Sequence, residues 1–481
     1  MFIARKITFY VFLAAYCILC PLIIFYSFGY ILHPIKKEIS HTGLIHLATI
    51  PSGADVYLEN SRFRYKTPTS ITELLPGKYK VTVRLKGFRP WRHRVTIEEG
   101  KASAFNNILL VPAVWEPQEL SSESKYASLM FFPESGGVIL KKGAQLKDFY
   151  GFDRKKEKVV SFTNEYAPTR DFAVSSLYLL RGGKSAIVYG GSLWDKKFYL
   201  IDLTEGEKEP VDITKLISEK PDRFLWRVLD EEDCFAVYNG YVNRVNFREM
   251  SLSPRFINEM KGFGASGRWL YVLEKNNSFL RTTVDLELST VLFEGKYFGE
   301  RIFDTSRSYR VRFLDNDVFL FWGDKGDLIV TIPPHILAEE GVKGVDYNKQ
   351  RKRLLYWTND TIWVADFTGE DDSESLFQYP VSVRLVYSGG RNIAQCFWVH
   401  NGTHILYRER DRLFLLELMS DEKHHLEYIV RAQNNSDIFY SDEDGYIYYL
   451  DQNGGLKKLK ILLKETMIPF AFGEKERQEN R

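Results

Sequence analysis

Two glycine-flanked serines come nearest to a nucleophile in this 481-residue chain. They are Ser192, in Gly190-Gly191-Ser192-Leu193-Trp194, and Ser266, in Gly264-Ala265-Ser266-Gly267-Arg268. Each approaches the G-x-S-x-G turn that raises a serine above a sheet, and each lacks the last glycine. Zinc hydrolysis would need paired histidines at helical spacing, and H-E-x-x-H is absent. Among nine histidines, His400/His404 and His424-His425 come closest to a ligand set. His400 and His404 flank Asn401-Gly402-Thr403, which reads as a hairpin turn, so they are expected at hairpin ends. Asp442-Glu443-Asp444-Gly445 is calcium-loop-like for four residues and lacks the distal bidentate acid. It also approximates a sialidase Asp-box only out of register, and a hairpin turn is expected there. Asp366–Glu374 (DFTGEDDSE) reads as a solvated acidic loop. No glycine-rich phosphate loop follows a strand and opens a helix. The expectation is no catalytic residue, no metal and no cofactor.

One run has the composition of a binding patch: Phe88-Arg89-Pro90-Trp91-Arg92-His93-Arg94. Trp91 flanked by Arg89, Arg92 and Arg94 could stack on a sugar or meet an acidic polymer or a lipid headgroup. The same run also reads as a strand start whose Trp91 packs inward under solvated arginines.

Composition narrows the classes. Lys plus Arg is 65 and Asp plus Glu is 63, a net charge of +2, so no global basic field is offered to nucleic acid. Aromatics reach 15%, which favours strands. Cys17 and Cys20 fall in an apolar run, and Cys234 and Cys396 are far apart and expected as independent core residues. Four Asn-x-Ser/Thr sites, at Asn276, Asn359, Asn401 and Asn434, would matter only in a glycosylating secretory pathway and otherwise read as turn residues.

The elements that must position these residues begin with Ile7–Leu32, 26 residues without a charge. As a helix it would span roughly 39 Å, enough to cross a hydrocarbon core of about 30 Å with tilt. No small-x-small site closes the run, and Cys17 and Cys20 follow Tyr16 and Leu19, which excludes lipoprotein processing. Arg5 and Lys6 before it nearly balance Lys36 and Lys37 after it. The α-amino charge favours the amino terminus (residues 1–6) inside and residues 34–481 outside. The expected location is the cytoplasmic membrane, crossed once, with the bulk of the chain extracytoplasmic.

After a polar connector at 33–43 the apolar period becomes two. Leu44–Ile50, Asp55–Glu59, Lys78–Leu85, Arg92–Ile97 and Phe105–Leu110 alternate between Pro/Gly turns, which predicts a small antiparallel β-sandwich over 44–113. Pro51-Ser52-Gly53-Ala54, the VYLE at 56–59, Thr67-Pro68, Leu75-Pro76-Gly77-Lys78-Tyr79 and Lys86-Gly87-Phe88 resemble the PEGA domain, with Ser52 at the family's Glu. The resemblance implies an extracytoplasmic, surface-associated binding module without catalytic residues. The layout of anchor, PEGA and β repeats resembles membrane-anchored PEGA proteins of bacteria.

Over 114–473 an apolar-aromatic strand recurs every 30 to 50 residues: 138–141, 185–189, 234–238, 268–273, 309–314, 353–357, 404–408 and 438–440. Most are followed by a tight polar turn and a second strand, such as Asp317–Trp322, Thr361–Asp366 and Gly445–Asp451. This predicts a β-propeller of seven or eight blades, the final part unit (436–463) completed by Val114–Leu120. The pattern resembles TolB-like or WD40-like propellers without a strict WD or GH signature. A pair of two-sheet sandwiches is the competing architecture. The tail 474–481 is charged and expected to be disordered.

The whole therefore reads as mainly β: a transmembrane helix, a PEGA-type sandwich and a propeller. The function expected is a non-enzymatic, membrane-tethered binder of cell-envelope polymer or an envelope protein. The alternative is a propeller enzyme acting on glycans, such as a sialidase-like hydrolase or a lyase, whose site converges from several blades.

Overall fold

The computed structural model describes residues 2–27, 29–32, 39–120, 125–133, 135–163, 169–180, 183–192, 194–204, 209–226, 233–298, 302–304, 306–315, 318–332, 335–367, 382–418 and 424–462. Most of the connector, Leu193, residues 368–374 of the acidic loop and the tail 474–481 lie outside the described residues. Two units are present, 1–116 with 460–481 and 117–459.

The first unit opens with α1 (Phe2–Ser27). Within it Thr8–Ser27, 20 residues with mean hydropathy 2.3, is long and apolar enough to cross a bilayer. The helix ends five residues before the apolar run does. Gly29, at φ 81°, turns the chain, and its N–H bonds the Tyr26 carbonyl at 2.9 Å. Tyr30–Leu32 then forms β1, paired antiparallel with β2 (Ile39–His41). Hydrophobicity sets the length of the run, but only the glycine conformation sets where the helix stops.

The sandwich has two sheets. One orders β6 (Thr69–Leu74), β3 (Gly43–Ile50) and β9 (Ala102–Leu109); the other orders β5 (Ser61–Lys66), β4 (Asp55–Leu58), β7 (Gly77–Arg84) and β8 (Trp91–Ile97). The expectation of a purely antiparallel sandwich needs correction, because β3 and β9 pair in parallel. Alternation cannot report strand direction. Along β3 burial alternates strictly, with Ile45 and Leu47 against Val56, Val81, Val83 and Val95 in the core. The Pro-Ser-Gly-Ala turn has a physical reason. Gly53 sits at φ 81°, and the buried Thr49 and Thr67 hydroxyls bond each other at 2.6 Å. Thr67 Oγ1 also accepts the Ala54 N–H at 3.0 Å, and Thr49 Oγ1 donates to the Pro51 carbonyl at 2.7 Å. The buried Thr49 and Thr67 hydroxyls and the Ala54 N–H thereby all have partners.

The second unit is a ring of eight four-stranded antiparallel blades, of which blades 4 and 5 are joined into one eight-stranded sheet by a parallel pairing of their inner strands. Blades 1 to 7 have their strands within residues 128–161, 174–212, 223–258, 260–293, 309–339, 344–388 and 393–431. Blade 8 takes three strands from 439–460 and its fourth, β10 (Gln118–Glu119), from the front of the ring, with Gln118 opposite Lys458 and Glu119 opposite Lys457. Separate apolar cores join blades 1–2, 2–3, 3–4, 4–5, 5–6, 6–7 and 8–1.

The recurring apolar strand is explained by these cores. In blade 3, Cys234 and Ala236 enter the 2–3 core while Phe235 and Val237 enter the 3–4 core. A strand buried on both faces carries no polar alternation. Each large side chain so buried contributes roughly 1.5–3 kcal/mol before entropy. This doubly buried strand is the second of its blade, and six of the eight predicted strands fall on it. In blades 5 and 8 the predictions at 309–314 and 438–440 fall on the innermost strand instead. There the doubly buried strands are Val318–Gly323 and Tyr446–Leu450. Cys234 and Cys396 are buried and unpaired to each other, as expected of independent core residues.

Candidate functional site

The outer face of the β5–β4–β7–β8 sheet carries a row of exposed charged side chains. Tyr79, Val81 and Val83 of β7 point inward, so Lys78, Lys80 and Arg84 lie exposed on the outer face, where Thr82 between them is covered. On β8 Trp91, His93, Val95 and Ile97 face the core, so Arg92, Arg94 and Thr96 point out. Five of the six exposed outward positions on β7 and β8 are cationic and none is acidic. The register places Lys80 directly opposite Arg94, a like-charge pair that costs stability. Arg84 lies over the Tyr57 ring at 4.9 Å. On the neighbouring strand Asp55 stands directly opposite Arg84 and binds Arg62 at 2.7 Å, which holds its carboxyl below the usual range. Glu59, at the rim, is spent on the Lys80 backbone N–H at 2.8 Å.

This divides the predicted aromatic-basic patch. Trp91 is only 6% exposed and packs edge-on against Phe105 at 5.7 Å, so it presents no stacking surface. Strand alternation forbids Trp91 and its arginine neighbours from sharing a face. Arg92 and Arg94 are exposed on the cationic face, and Arg89, half-buried, precedes the strand. Sequence reasoning missed Lys78, Lys80 and Arg84, whose signal was the period-two spacing of cations in Lys78–Arg84 matched by Arg92-x-Arg94.

In the ring, the polar side chains of the inner strands serve the neighbouring blade. Asp346 accepts the Trp398 N–H at 3.0 Å, and the Trp398 indole donates to the Asp346 carbonyl at 3.2 Å. Burial pushes the Asp346 carboxyl up, with Arg312 pulling the other way. Gln395 brackets Ile438, accepting its N–H at 2.8 Å and donating to its carbonyl at 3.3 Å. Ser436 and Asp437 accept the Leu129 and Phe131 N–H groups at 2.9 and 3.0 Å, closing blade 8 on blade 1. Arg223 of blade 3 donates to the Phe263 carbonyl at 2.6 Å.

The glycines of both near-miss elbows are packing devices. A Cβ at Gly264 would lie 2.1 Å from the Val311 carbonyl oxygen, where the inner strands of blades 4 and 5 pair in parallel. One at Gly190 would lie 1.8 Å from the Ala173 oxygen. His400 and His404 do meet, with rings 5.5 Å apart at a hairpin end. His404 is 2% exposed, and burial, then His400, push its pKa down to about 3. The 442–445 turn is occupied by its own contacts: Asp442 accepts the Tyr440 hydroxyl, Asp444 the Tyr448 hydroxyl, and Arg154 of blade 1 binds Glu443. Among the described residues no cluster of three metal-ligating side chains is present.

Residues 42–109 match the PEGA domain family. No curated protein matches the chain. Solved structures of similar shape include the β-propeller domain of Cps50 (Swd1) from Myceliophteria thermophila, at 11% identity and TM-score 0.35, covering 72% of this chain and 99% of that one. The computationally designed Ika8 protein is 9% identical with TM-score 0.43, covering 71% and 99%. YCF48 from Cyanidioschyzon merolae is 12% identical with TM-score 0.36, covering 72% and 99%. The eight blades and their pairings establish the propeller independently of these likenesses. The chain thus combines an apolar helix, a PEGA-like sandwich and a β-propeller, an assembly suited to a binding or scaffold role.

Proposed function

We propose that this chain is a non-enzymatic, membrane-tethered scaffold of the bacterial cell envelope. In this reading Thr8–Ser27 crosses the cytoplasmic membrane once, and the sandwich and ring lie outside the cell, holding envelope polymer or an envelope protein. The observation that carries the non-enzymatic reading is the occupation of inner-strand polar groups. Asp346, Gln395, Ser436, Asp437 and Arg223 each bond the backbone of a neighbouring blade. Groups fixed in that way hold a ring shut and cannot swing to a substrate. The PEGA match over 42–109 supports the binding role.

The test uses the full chain in lipid nanodiscs incubated with purified cell-wall sacculi. Co-sedimentation without release of new reducing ends supports the scaffold. Release of soluble sugar, abolished by heating the protein, would replace it with a glycan-cleaving propeller.

A further inference from the structure

We infer that the outer face of β7 and β8 is a docking surface for the phosphate headgroups of an anionic lipid bilayer. The inference rests on the reading above, that α1 crosses the membrane, and adds a partner to it.

Three observations converge. The first is charge: Lys78, Lys80, Arg84, Arg92 and Arg94 are five of the six exposed outward positions on β7 and β8, with no acid among them. Lys78, Lys80, Arg92 and Arg94 hold no ion pair among the described residues. Like charges stand directly opposite at Lys80 and Arg94, an arrangement that costs stability unless an anion lies over it. Protection of an exposed sheet edge would account for arginines on β8, which is an edge strand. It does not account for Arg84, in the half of β7 (Val81–Arg84) that pairs with β4.

The second is shape. Alternate outward residues along a strand lie about 6.8 Å apart, and neighbouring strands about 4.8 Å apart. The cations form a two-row array on a sheet face, which matches a plane of phosphates better than a single threaded polymer.

The third is the tether. The Thr42 N–H and hydroxyl both bond the Gly29 carbonyl at 2.8 Å, and Gly29 caps α1. β3 begins one residue later, at Gly43. The sandwich is therefore pinned to the helix end, within one small domain's width of the bilayer surface. Each Lys or Arg near an anionic surface adds to the attraction, so five together hold an already tethered domain flat. The attraction decays over a Debye length of about 8 Å and is salt-sensitive.

The experiment uses the full chain with Cys17 and Cys20 replaced by serine. Thr96→Cys, an outward position on β8, carries an environment-sensitive fluorophore. The protein is placed in nanodiscs of phosphatidylcholine alone or with phosphatidylglycerol. On anionic discs the probe is expected to shift to the blue and to lose about threefold in accessibility to a soluble quencher. Added salt at 0.5 M, or the quadruple variant K78E/K80E/R92E/R94E, should abolish the change. Identical probe behaviour on neutral and anionic discs overturns the inference. So does a change on neutral discs produced by soluble polyglycerol phosphate, which would assign the face to a polymer. Carbonate extraction of the same protein from vesicles reports the anchor separately, so a failed tether and a failed face are distinguishable.

Discussion

Trp398 holds its blade to the neighbouring one by two donations to Asp346. The backbone N–H of Trp398 reaches the Asp346 carboxylate at 3.0 Å, and its indole reaches the Asp346 carbonyl at 3.2 Å. Asp346→Ala leaves the Trp398 N–H buried without its acceptor. The expected loss is about 2–3 kcal/mol, read as a lowered urea midpoint of the ring. Asp346→Asn keeps an acceptor and should lose less than half as much. Equal losses from both would assign the effect to charge instead.

Gly264 marks the closest approach of blades 4 and 5. Adding a methyl places it 2.1 Å from the Val311 oxygen, so Gly264→Ala should destabilise by about 2–4 kcal/mol. At Gly151 the added Cβ meets nothing nearer than 3.8 Å, and Gly151→Ala should stay within about 1 kcal/mol of the parent. Thermal unfolding of the two variants side by side checks the contrast.

His404 gives the ring an acid sensitivity with a definite sign. Its folded pKa is depressed to about 3, below the ordinary value of 6.5, so the unfolded chain binds the extra proton first. The stability it contributes is complete above pH 6.5 and is lost as pH falls towards 3. Between pH 7 and pH 5 that loss is about 2 kcal/mol. His404→Phe should remove this component, flattening the dependence of the urea midpoint on pH across that interval.

In the sandwich, Thr67→Val removes the acceptor of the Ala54 N–H and the partner of Thr49. A loss of about 1–3 kcal/mol is expected. Thr49→Val on that background should add less than it does alone, because the shared hydrogen bond is already gone. Equal effects on both backgrounds would show that the two hydroxyls act independently.

The architecture was legible where burial imposes a period. Phe235 and its neighbours on both sides are apolar because the strand is buried twice, and that run marks a blade wherever it occurs. The blade that borrows its outer strand from residues near 118 was also legible, since the terminal unit lacked one strand. Which strand of a blade carried the run was not legible in blades 5 and 8, because inner and middle strands there are both rich in aromatics. The candidate site was half legible. Arg92 and Arg94 were visible as a cluster, but Trp91 beside them drew attention to stacking, and its inward direction follows only from pairing with β7. The cations of β7 were hidden in a strand read for its valines. Contacts such as Asp346 with Trp398, 52 residues apart, leave no local trace at all.

The borrowed strand sets an order on biosynthesis. Gln118 and Glu119 are made some 340 residues before their partners at Lys457 and Lys458, so blade 8 stays incomplete until those partners have been made. The sandwich, whose strands span only Gly43 to Leu109, has all its parts far earlier. A nascent chain therefore carries a finished small domain beside an open arc with two raw edges. Any truncation within the last blade leaves that arc unsealed, while a chain cut and rejoined at another blade boundary retains every pairing.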